Sequence, residues 1–275
     1  MPNGTAPGAS GKGWLKAFQS MPNDSKQKTL IVALLLCLVC SILVSTAAVT
    51  LQPLQERNRE LDRKKIILEV AGLLKGEKSI DELFKQVETK VVDLSTGEYV
   101  EKIDPAGYDQ RRAAKDPELS VPVPPDRDIA HIRRRAKYAT VYLVKEGGQT
   151  KYVILPVHGY GLWSTMYAFL ALEGDANTVF GMRFYEQTET AGLGAEVDNP
   201  VWRGKWKGKV IYNEAGNPRI RVTKGTVDPS DSEARFKIDG LAGATITANG
   251  VTNLMRYWFG PEGFGPYLKR IRTEG

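Results

Sequence analysis

The stretch from Ala139 to Val157, ATVYLVKEGGQTKYVILPV, decides the fold class that the sequence predicts. Its two ends, residues 139–144 and 151–157, are rich in β-branched and aromatic residues, which favour strands. The segment between them begins KEGGQ, and its adjacent glycines predict the turn of a hairpin. The stretch therefore predicts two antiparallel strands that are neighbours in a sheet.

More strands are expected further along the chain. Residues 166–188 predict a second strand pair, with a turn around Asp175–Asn177. Residues 208–222 predict a third hairpin whose turn is Glu214–Pro218. A short helix is expected between these pairs, at Pro200–Trp206.

Helical patterns precede the strands. Residues 55–76 predict a helix that is charged in its first half and apolar in its second, with Gly76 as a stop. Ser79 and Glu82 form a capping box at the start of a further helix. Apolar residues at helical spacing follow it: Ile80, Leu83, Phe84, Val87 and Val91. The predicted class is α+β, a largely antiparallel sheet flanked by helices.

The N-terminal part contains a candidate membrane helix. The 23 residues from Thr29 to Leu51 carry no charged side chain. As a helix they would be about 34 Å long, which spans a hydrocarbon core of about 30 Å. The competing interpretation is a cleaved signal peptide, but this run exceeds the roughly 7–15 apolar residues of such peptides. We expect a flexible tail over 1–28, a transmembrane helix over 29–51 and one outer domain over 52–275.

Composition excludes several classes of protein. The chain has 275 residues, of which 42% are hydrophobic and 25% charged, and two are cysteines, so disorder throughout and a disulfide scaffold are excluded. The mean hydropathy of −0.30 excludes a transporter with many spans. Half of the net charge of +6 lies in residues 1–51 beside the apolar run, which favours a membrane surface over nucleic acid as partner. The basic residues on the two flanks do not favour a cytoplasmic N-terminus, so charge alone leaves the orientation open.

The cysteine pair of the apolar run does not predict a redox site, and the outer domain lacks a dinucleotide-binding motif. Cys37 and Cys40 share one face of the predicted helix, which permits redox or metal chemistry. The βαβ context of a redox motif is missing, so helix packing is favoured. No G-x-G-x-x-G follows a strand, and direct NADH binding by this chain is not expected.

Other titratable groups are expected at the surface. Residues 104–136 are polar and contain several prolines, and the run Arg133–Arg135 within them predicts a solvated face. His131 and His158 lie far apart in sequence, without Cys or carboxylate neighbours at ligand spacing. Both are expected in surface or turn positions, and no metal site and no catalytic triad is predicted.

The stretch Gly240–Gly260, GLAGATITANGVTNLMRYWFG, carries the strongest chemical signal. Small residues and two threonines, Thr245 and Thr247, precede a helix that Gly260 and Pro261 end. Backbone N–H groups and the helix dipole at such a loop suit a phosphate. The alternative use of either threonine is a plain N-cap. The helix has one apolar face, formed by Val251, Leu254, Met255, Trp258 and Phe259.

The run Gly243-Ala244-Thr245-Ile246-Thr247 resembles the flavinylation motif of FMN-binding domains, S/D-G-A-S/T-x-S/T. In that family a flavin transferase joins the FMN phosphate to the last hydroxyl of the motif as a phosphoester. The resemblance therefore implies covalent FMN on Thr247. Ala242 stands where the family usually has Ser or Asp.

Further blocks of sequence resemble the C subunits of sodium-translocating NADH:quinone reductases. They are GYGLWS (159–164), ETAGLG (189–194), NPVW (199–202), LDRKK (61–65) and VAGL (70–73). Ala191 stands where Pro is usual. Because the blocks are separated and occur in the family's order, the resemblance is specific, and it extends over roughly residues 30–270.

The blocks also suit the chemistry of a flavin, whose flat apolar ring needs apolar walls and a few hydrogen bonds. Trp163 and Leu193 are expected as walls, and Glu189 and Thr190 as contacts to a ring edge. The backbone at Gly192 and Gly194 permits close approach, and Lys224 is expected to neutralise the phosphate. The alternatives are core packing for Trp163, a tight turn for residues 192–194 and a solvated Lys224.

The resemblance implies an electron-transfer subunit that carries FMN in a membrane complex. Such a complex oxidises NADH, reduces ubiquinone and translocates Na⁺, and the partners are its other membrane and redox subunits. The family's topology places the chain in the bacterial inner membrane, with a cytoplasmic N-terminus and a periplasmic domain. Two alternatives remain: the flavin subunit of the Rnf ferredoxin:NAD⁺ complex, and an anchored binding or assembly module without flavin.

Overall fold

The computed structural model describes residues 18–274 except 23, 75 and 77. Its helices are α1 (Lys26–Val70), α2 (Ile80–Phe84), α3 (Gln110–Ala113), α4 (Pro200–Gly204), α5 (Thr245–Trp258) and α6 (Gly265–Glu274). Its strands are β1 (Val87–Asp93), β2 (Ser120–Pro122), β3 (Arg134–Ala136), β4 (Tyr138–Glu146), β5 (Gln149–Tyr160), β6 (Thr165–Glu173), β7 (Val179–Glu186), β8 (Arg221–Val222) and β9 (Lys237–Ile238). Short 3₁₀ helices lie at Gly194–Asp198 and Ala234–Phe236.

Five strands form an antiparallel sheet in the order β1-β4-β5-β6-β7. The hairpin predicted from residues 139–157 is confirmed as β4 and β5, in which Tyr142 pairs with Ile154. The second predicted pair is confirmed as β6 and β7, with Ala176 in the turn at a φ of 52°. The predicted α+β class is thus confirmed.

The third predicted hairpin is wrong in form. Tyr212 and Pro218 make only an isolated bridge, around a turn in which the Asn213 N–H donates to Asn217 O. A regular ladder is disfavoured here because proline has no N–H to donate. β8, which follows, pairs instead in parallel with β9. The short helix predicted before this segment is confirmed as α4, capped by Asn199.

Alternating residues of the sheet face two different cores. Leu155 and Val157 of β5 belong to the larger core, which also contains the apolar face of α5. On the opposite face Ile154 lies in a second core with Ile67 and Leu68 from the end of α1. Both faces of the central strands are therefore covered, which is why β4 and β5 are nearly continuous apolar runs.

Helix α5 lies very close to the end of β5. A Cβ on Gly250 would stand 2.5 Å from the carbonyl oxygen of Tyr160, so this approach requires glycine. The apolar face predicted for this helix is confirmed, with Val251 and Leu254 fully buried. The packing places the first turn of α5 beside the loop after β5, residues 161–164.

The helix predicted from Ser79 onwards is short. Its capping box is confirmed, because Ser79 accepts from the Glu82 N–H and the Glu82 side chain accepts from Ser79 N–H. The prediction is wrong beyond Phe84, where residues 87–93 form strand β1 and pair with β4. Val87 and Val91 fit the spacing of a helix and of a strand alike, and pairing with the edge of β4 decides for the strand.

Helix α1 is continuous from Lys26 to Val70, with Pro53 in its interior. The predicted span and the predicted helix over 55–76 are therefore one helix. It ends at Val70 rather than Gly76, because Gly72 adopts a φ of 67° and Leu73 N–H donates to Leu68 O in a left-handed cap.

Within the described residues, α1 is the one helix long and apolar enough to cross a membrane. Cys37 and Cys40 are exposed on it and form no disulfide. Most of the predicted tail, residues 1–28, lies outside the described residues. Helix α1 begins at Lys26, two residues before the predicted end of the tail. The chain divides into two compact units between Arg59 and Glu60. The assignment of residues 1–28, 29–51 and 52–275 to tail, span and outer domain stays a prediction.

Two expectations for basic residues are wrong. Arg135 is 7% exposed because it lies in strand β3, and its Nη1 donates to the carbonyl oxygen of Ala136. The run Arg133–Arg135 is therefore not a uniformly solvated face. His158 lies in the middle of the sheet, stacked on Tyr167 and close to Trp258. Burial lowers its pKa to about 4 and holds it neutral, whereas His131 occupies the expected exposed turn.

Candidate functional site

One buried carboxylate joins three segments that are far apart in the sequence. Glu189 is 7% exposed, and its Oε1 accepts hydrogen bonds from the backbone N–H groups of Leu162 and Trp163, each at 3.0 Å. Its Oε2 accepts from the hydroxyl of Thr247 at 2.6 Å. We call Leu162, Trp163, Glu189, Gly194 and Thr247 the Glu189 cluster. It brings together the loop after β5, the loop after β7 and the first turn of α5.

Gly194 makes room for this arrangement. A Cβ at Gly194 would stand 2.6 Å from the Thr247 hydroxyl oxygen and 2.8 Å from Glu189 Oε2. The backbone of the loop after β7 therefore lies directly against both polar atoms. The close approach to a flavin predicted for Gly194 stays a prediction. The turn is closed by Leu193 N–H donating to Thr190 O.

The two threonines of the predicted motif have different surroundings. The N-cap of α5 is Ala244, and it offers no side-chain cap, so neither threonine has the alternative role of N-cap. Thr245 is exposed, whereas Thr247 is 1% exposed and hydrogen-bonded to Glu189. Gly243, just before the helix, has a φ of 69° and lies against the Leu193 side chain. The motif thus presents one exposed hydroxyl and one that is held in place.

Two apolar side chains stand in solvent beside the cluster. Trp163 is 63% exposed and Leu193 is 42% exposed. Core packing, the alternative for Trp163, is therefore excluded. Its ring is held in position, because Nε1 donates to the Thr190 hydroxyl at 3.1 Å. Their roles as walls of a flavin site stay predictions, and both side chains are accessible to a flat ring.

The electrostatics of the cluster are set by Glu189. Burial opposes ionisation of its carboxyl group, but the hydrogen bonds from the Thr247 hydroxyl and from the backbone amides of residues 162–164 outweigh it. The pKa of Glu189 is therefore lowered from its ordinary value of 4.5. The group is ionised at neutral pH, and both oxygens are engaged by the protein. The contact of Glu189 with a ring edge stays a prediction, and the contact that the structure gives is the hydrogen bond with Thr247.

Lys224 lies near the loop that leads into α5. The next residue, Gly225, accepts a hydrogen bond from Gly240 N–H at 2.7 Å. The Lys224 side chain is exposed. The contact of Lys224 with a phosphate stays a prediction.

A separate cleft of the domain does not include the Glu189 cluster. A cavity of about 780 Å³ opens on the other face of the sheet, where Tyr142 and His158 line it. It reaches the Glu189 cluster only through the neighbouring backbone at Tyr160 and Gly161. The cavity therefore does not coincide with the Glu189 cluster, and the convergence of polar groups on Thr247 is the more specific signal.

Comparison with known proteins supports this choice. The FMN-binding domain family matches residues 161–260, which contain every member of the Glu189 cluster. The C subunit of the Na⁺-translocating NADH-quinone reductase of Pseudomonas aeruginosa is 50% identical over 255 residues, covering 90% of this chain and 97% of that protein. The equivalent protein of Vibrio alginolyticus is 51% identical over 251 residues, covering 91% and 96%. The chain belongs to this family, the NqrC family.

Solved structures from the NqrC family share the fold. The crystal structure of Shewanella oneidensis NqrC has a TM-score of 0.72 and 34% identity, and covers 78% of this chain and 99% of that one. The crystal structure of the equivalent protein from Parabacteroides distasonis has a TM-score of 0.60 and 27% identity, with coverage of 79% and 96%. The predicted resemblance is confirmed, and these relatives favour the quinone reductase over the Rnf complex.

Sequence reasoning named Trp163, Glu189, Gly194 and Thr247 of the Glu189 cluster but missed the hydrogen bond between Glu189 and Thr247. Glu189 and Thr247 are 58 positions apart, and no spacing rule connects them. The role of the Leu162 amide was also missed, because a backbone donor leaves no mark on residue type. The ETAGLG block contains no Lys or Arg, and this is the only sequence feature that suggests neutral hydrogen-bond donors for Glu189.

Proposed function

We propose that this chain is the electron-transfer subunit that carries covalent FMN in a membrane complex, which oxidises NADH, reduces ubiquinone and translocates Na⁺. The observation that carries the proposal is the hydrogen bond between Thr247 and Glu189 at the meeting point of three family blocks. The FMN-binding match over residues 161–260 covers the same segments. Bound FMN supplies one- and two-electron redox chemistry, which no side chain of this site provides.

The residues present fit an FMN group. Thr247 offers a hydroxyl at the start of α5, where the helix dipole favours a phosphate. Trp163 and Leu193 offer exposed apolar surface for the ring, and Thr190 fixes the indole of Trp163. Lys224 is an exposed cation next to Gly225, which accepts a hydrogen bond from the N–H of Gly240 in the loop that precedes the helix. We assign Thr247 as the phosphoester acceptor and these side chains as the walls and anchors of the cofactor.

The proposed location follows from the apolar helix and the family. Helix α1 would hold the chain in the bacterial inner membrane, with the N-terminus in the cytoplasm and the flavin domain in the periplasm. A single helix cannot form an ion path by itself, so Na⁺ transport belongs to other subunits. Covalent attachment keeps the cofactor on the domain where free FMN is scarce. A flavin transferase is the partner required for maturation.

The test is a mass spectrum of the purified chain after co-expression with a flavin transferase. The wild-type chain is expected to carry one FMN, and Thr247→Val to carry none. The substitution removes one hydrogen bond to a carboxylate, which costs about 1.5–3 kcal/mol, so the variant should still fold. Thr245→Val is the matched control, because that hydroxyl is exposed, and it should keep its flavin.

Two results would contradict the proposal in different ways. A wild-type band without fluorescence on a denaturing gel would favour the binding module without flavin. If Thr247→Val retains flavin while Thr245→Val loses it, the acceptor assignment is wrong and the flavin function stands.

A further inference from the structure

We propose that Glu189 takes the proton of the Thr247 hydroxyl when the flavin phosphate is attached, so that the chain supplies part of the machinery for its own modification. The inference rests on the proposed function, because it assumes that Thr247 is the acceptor. It assigns Glu189 a role in forming the bond, in addition to any contact with the bound cofactor.

The first observation is where the Thr247 hydroxyl donates its hydrogen bond. Other threonines in helices of this chain donate to their own helix backbone: Thr29 to Ser25, Thr46 to Ile42, Thr50 to Thr46, Thr252 to Ala248 and Thr273 to Lys269. Thr247 instead donates to a carboxylate on a different segment, at 2.6 Å. That distance is typical of a charge-assisted hydrogen bond between a hydroxyl and a carboxylate. The proton of Thr247 therefore already points at a base.

The second observation is the way in which Glu189 is held. The backbone amides of Leu162 and Trp163 donate to Oε1 at 3.0 Å, and the Leu162 amide also lies 3.2 Å from Oε2, which accepts the hydrogen bond of Thr247. Within the described part of the chain, no Lys, Arg or His nitrogen forms an ion pair with this carboxylate, although such pairs hold other carboxylates of the domain. Neutral donors orient the group without cancelling its charge. One oxygen thus remains a negatively charged acceptor for the hydroxyl proton.

The third observation is that the hydroxyl oxygen is fixed from both sides. Gly194 lies against it, with no room for a Cβ, and helix α5 holds its Cα. A hydroxyl fixed in this way loses little freedom when it attacks, which is the usual source of rate in phosphoryl transfer. Glu189 therefore sets both the direction of the oxygen and the destination of its proton.

The chemical step balances with one co-reactant, a flavin phosphoanhydride in which the flavin phosphate is joined to a nucleotide. Thr247 Oγ forms a bond to the flavin phosphorus, and the anhydride P–O bond breaks, releasing a nucleoside monophosphate. The Thr247 proton passes to Glu189 Oε2. No atom changes its oxidation state. A carboxylate that receives the hydroxyl proton has the same task in protein kinases, where the substrate is also a Ser, Thr or Tyr hydroxyl.

The decisive variant is Glu189→Gln. Its oxygen can still accept from the amides of Leu162 and Trp163, but its NH₂ then faces Thr247 and donates to it. The shape is kept, while the acceptor for the proton is lost. General-base catalysis contributes about 100- to 10,000-fold, so the variant should gain flavin at least about 100-fold more slowly than the wild type.

The experiment uses the full-length chain made without transferase, then mixed with flavin transferase and flavin adenine dinucleotide. The gain in mass is followed with time, and each rate is expressed per folded molecule from circular dichroism of the same sample. A partly unfolded variant therefore still gives a result. Glu196→Gln is the control, since it removes a carboxylate from the same segment whose side chain accepts a hydrogen bond from Asn199, and it should react at the wild-type rate.

Glu189→Asp distinguishes a role as proton acceptor from a purely steric role, because it restores the carboxylate on a shorter side chain. We expect it to react at least about tenfold faster than Glu189→Gln. Equal rates for wild type and Glu189→Gln would overturn the inference and leave the proposed function intact. Equally slow rates for Asp and Gln would also overturn it, because shape would then explain the defect. A wild-type chain that gains no flavin would mean that the proposed function itself has failed.

Discussion

Two groups of residues bind carboxylates with different kinds of donor. In the Glu189 cluster one buried carboxylate is bound by a hydroxyl and by backbone amides. At the end of α1, Glu69 contacts Arg183 and Arg203, which also approach Asp198. We call these four residues the arginine cluster. Both clusters join segments that are distant in sequence, but only the second contains cations.

The difference in donors suits the arginine cluster to stabilising the fold and the Glu189 cluster to chemistry. In the arginine cluster the guanidinium groups neutralise Glu69 and Asp198 and tie α1 to strand β7 and helix α4. An ion pair of that kind leaves no acceptor free for another task. In the Glu189 cluster the donors carry no net charge, so the carboxylate keeps its own. The comparison predicts that changes in the two clusters affect flavin attachment and stability in different proportions.

Gly194→Ala is expected to have the largest effect, because it disrupts the Glu189 cluster from the backbone side. The new Cβ would stand 2.6 Å from the Thr247 hydroxyl oxygen and 2.8 Å from Glu189 Oε2, which separates the two groups. Overpacking of this kind costs about 1–3 kcal/mol. We expect the covalent flavin detected by mass spectrometry to fall below one tenth of the wild-type amount.

The matched control is Gly204→Ala, at the end of α4. A Cβ there would meet no atom within 4 Å, and the residue has no positive φ. Since alanine is the better helix former by about 0.5–1 kcal/mol, this variant should be as stable as the wild type or more so, with full flavin. Normal flavin content in Gly194→Ala would show that the contact with Thr247 is not needed.

Glu69→Gln is expected to give a smaller effect of the opposite kind. Arg183 and Arg203 lose a shared carboxylate but keep Asp198, and the side chains of the cluster are 18–39% exposed, so solvent screens part of the loss. The free energy of unfolding should fall by about 1 kcal/mol. The rate of flavin attachment should not change. A slower attachment rate would mean that the arginine cluster also positions the flavin site, and the comparison would fail.

The sequence predicts the elements of this domain better than their contacts. The β4–β5 hairpin, helix α5 and the Ser79 capping box follow from local patterns, because turn residues, apolar spacing and caps act within a few positions. The valines of Val87–Asp93 fit the periods of both helix and strand, and the free edge of β4 decides the outcome. The neighbours of His158 in sequence do not reveal Tyr167 and Trp258, so its place between two aromatic rings escapes prediction.

The candidate site shows the same limit. The residues of the motif and of the ETAGLG block can be named from the sequence, since their types suit a phosphate and a flavin. The hydrogen bond between Glu189 and Thr247 cannot, because it depends on the close packing of α5 against β5 at Gly250. Residue types indicate which chemistry a segment can support, whereas tertiary structure determines the partner of a buried carboxylate.

The pH dependence of stability offers the finest distinction between the clusters. The hydrogen bonds of Glu189 lower its pKa from 4.5, whereas desolvation raises the pKa of Asp198 from 3.8 despite the nearby arginines. A lowered pKa contributes stability above the unfolded value, and that contribution is lost as the pH falls through the folded pKa. For a raised pKa the sign reverses, because the folded state takes up its proton first and gains stability as the pH falls.

The two clusters should therefore show opposite pH slopes when each variant is compared with the wild type. Thermal unfolding measured from about pH 6 down to about pH 3 gives the difference directly, since all other groups cancel. The advantage of the wild type over Glu189→Gln should shrink with acidification, because the variant lacks only a contribution that acid removes. The stability of the wild type relative to Asp198→Asn should instead increase, as protonation removes a partly desolvated charge. Slopes of the same sign would show that the Glu189 cluster and the arginine cluster hold their carboxylates in the same way.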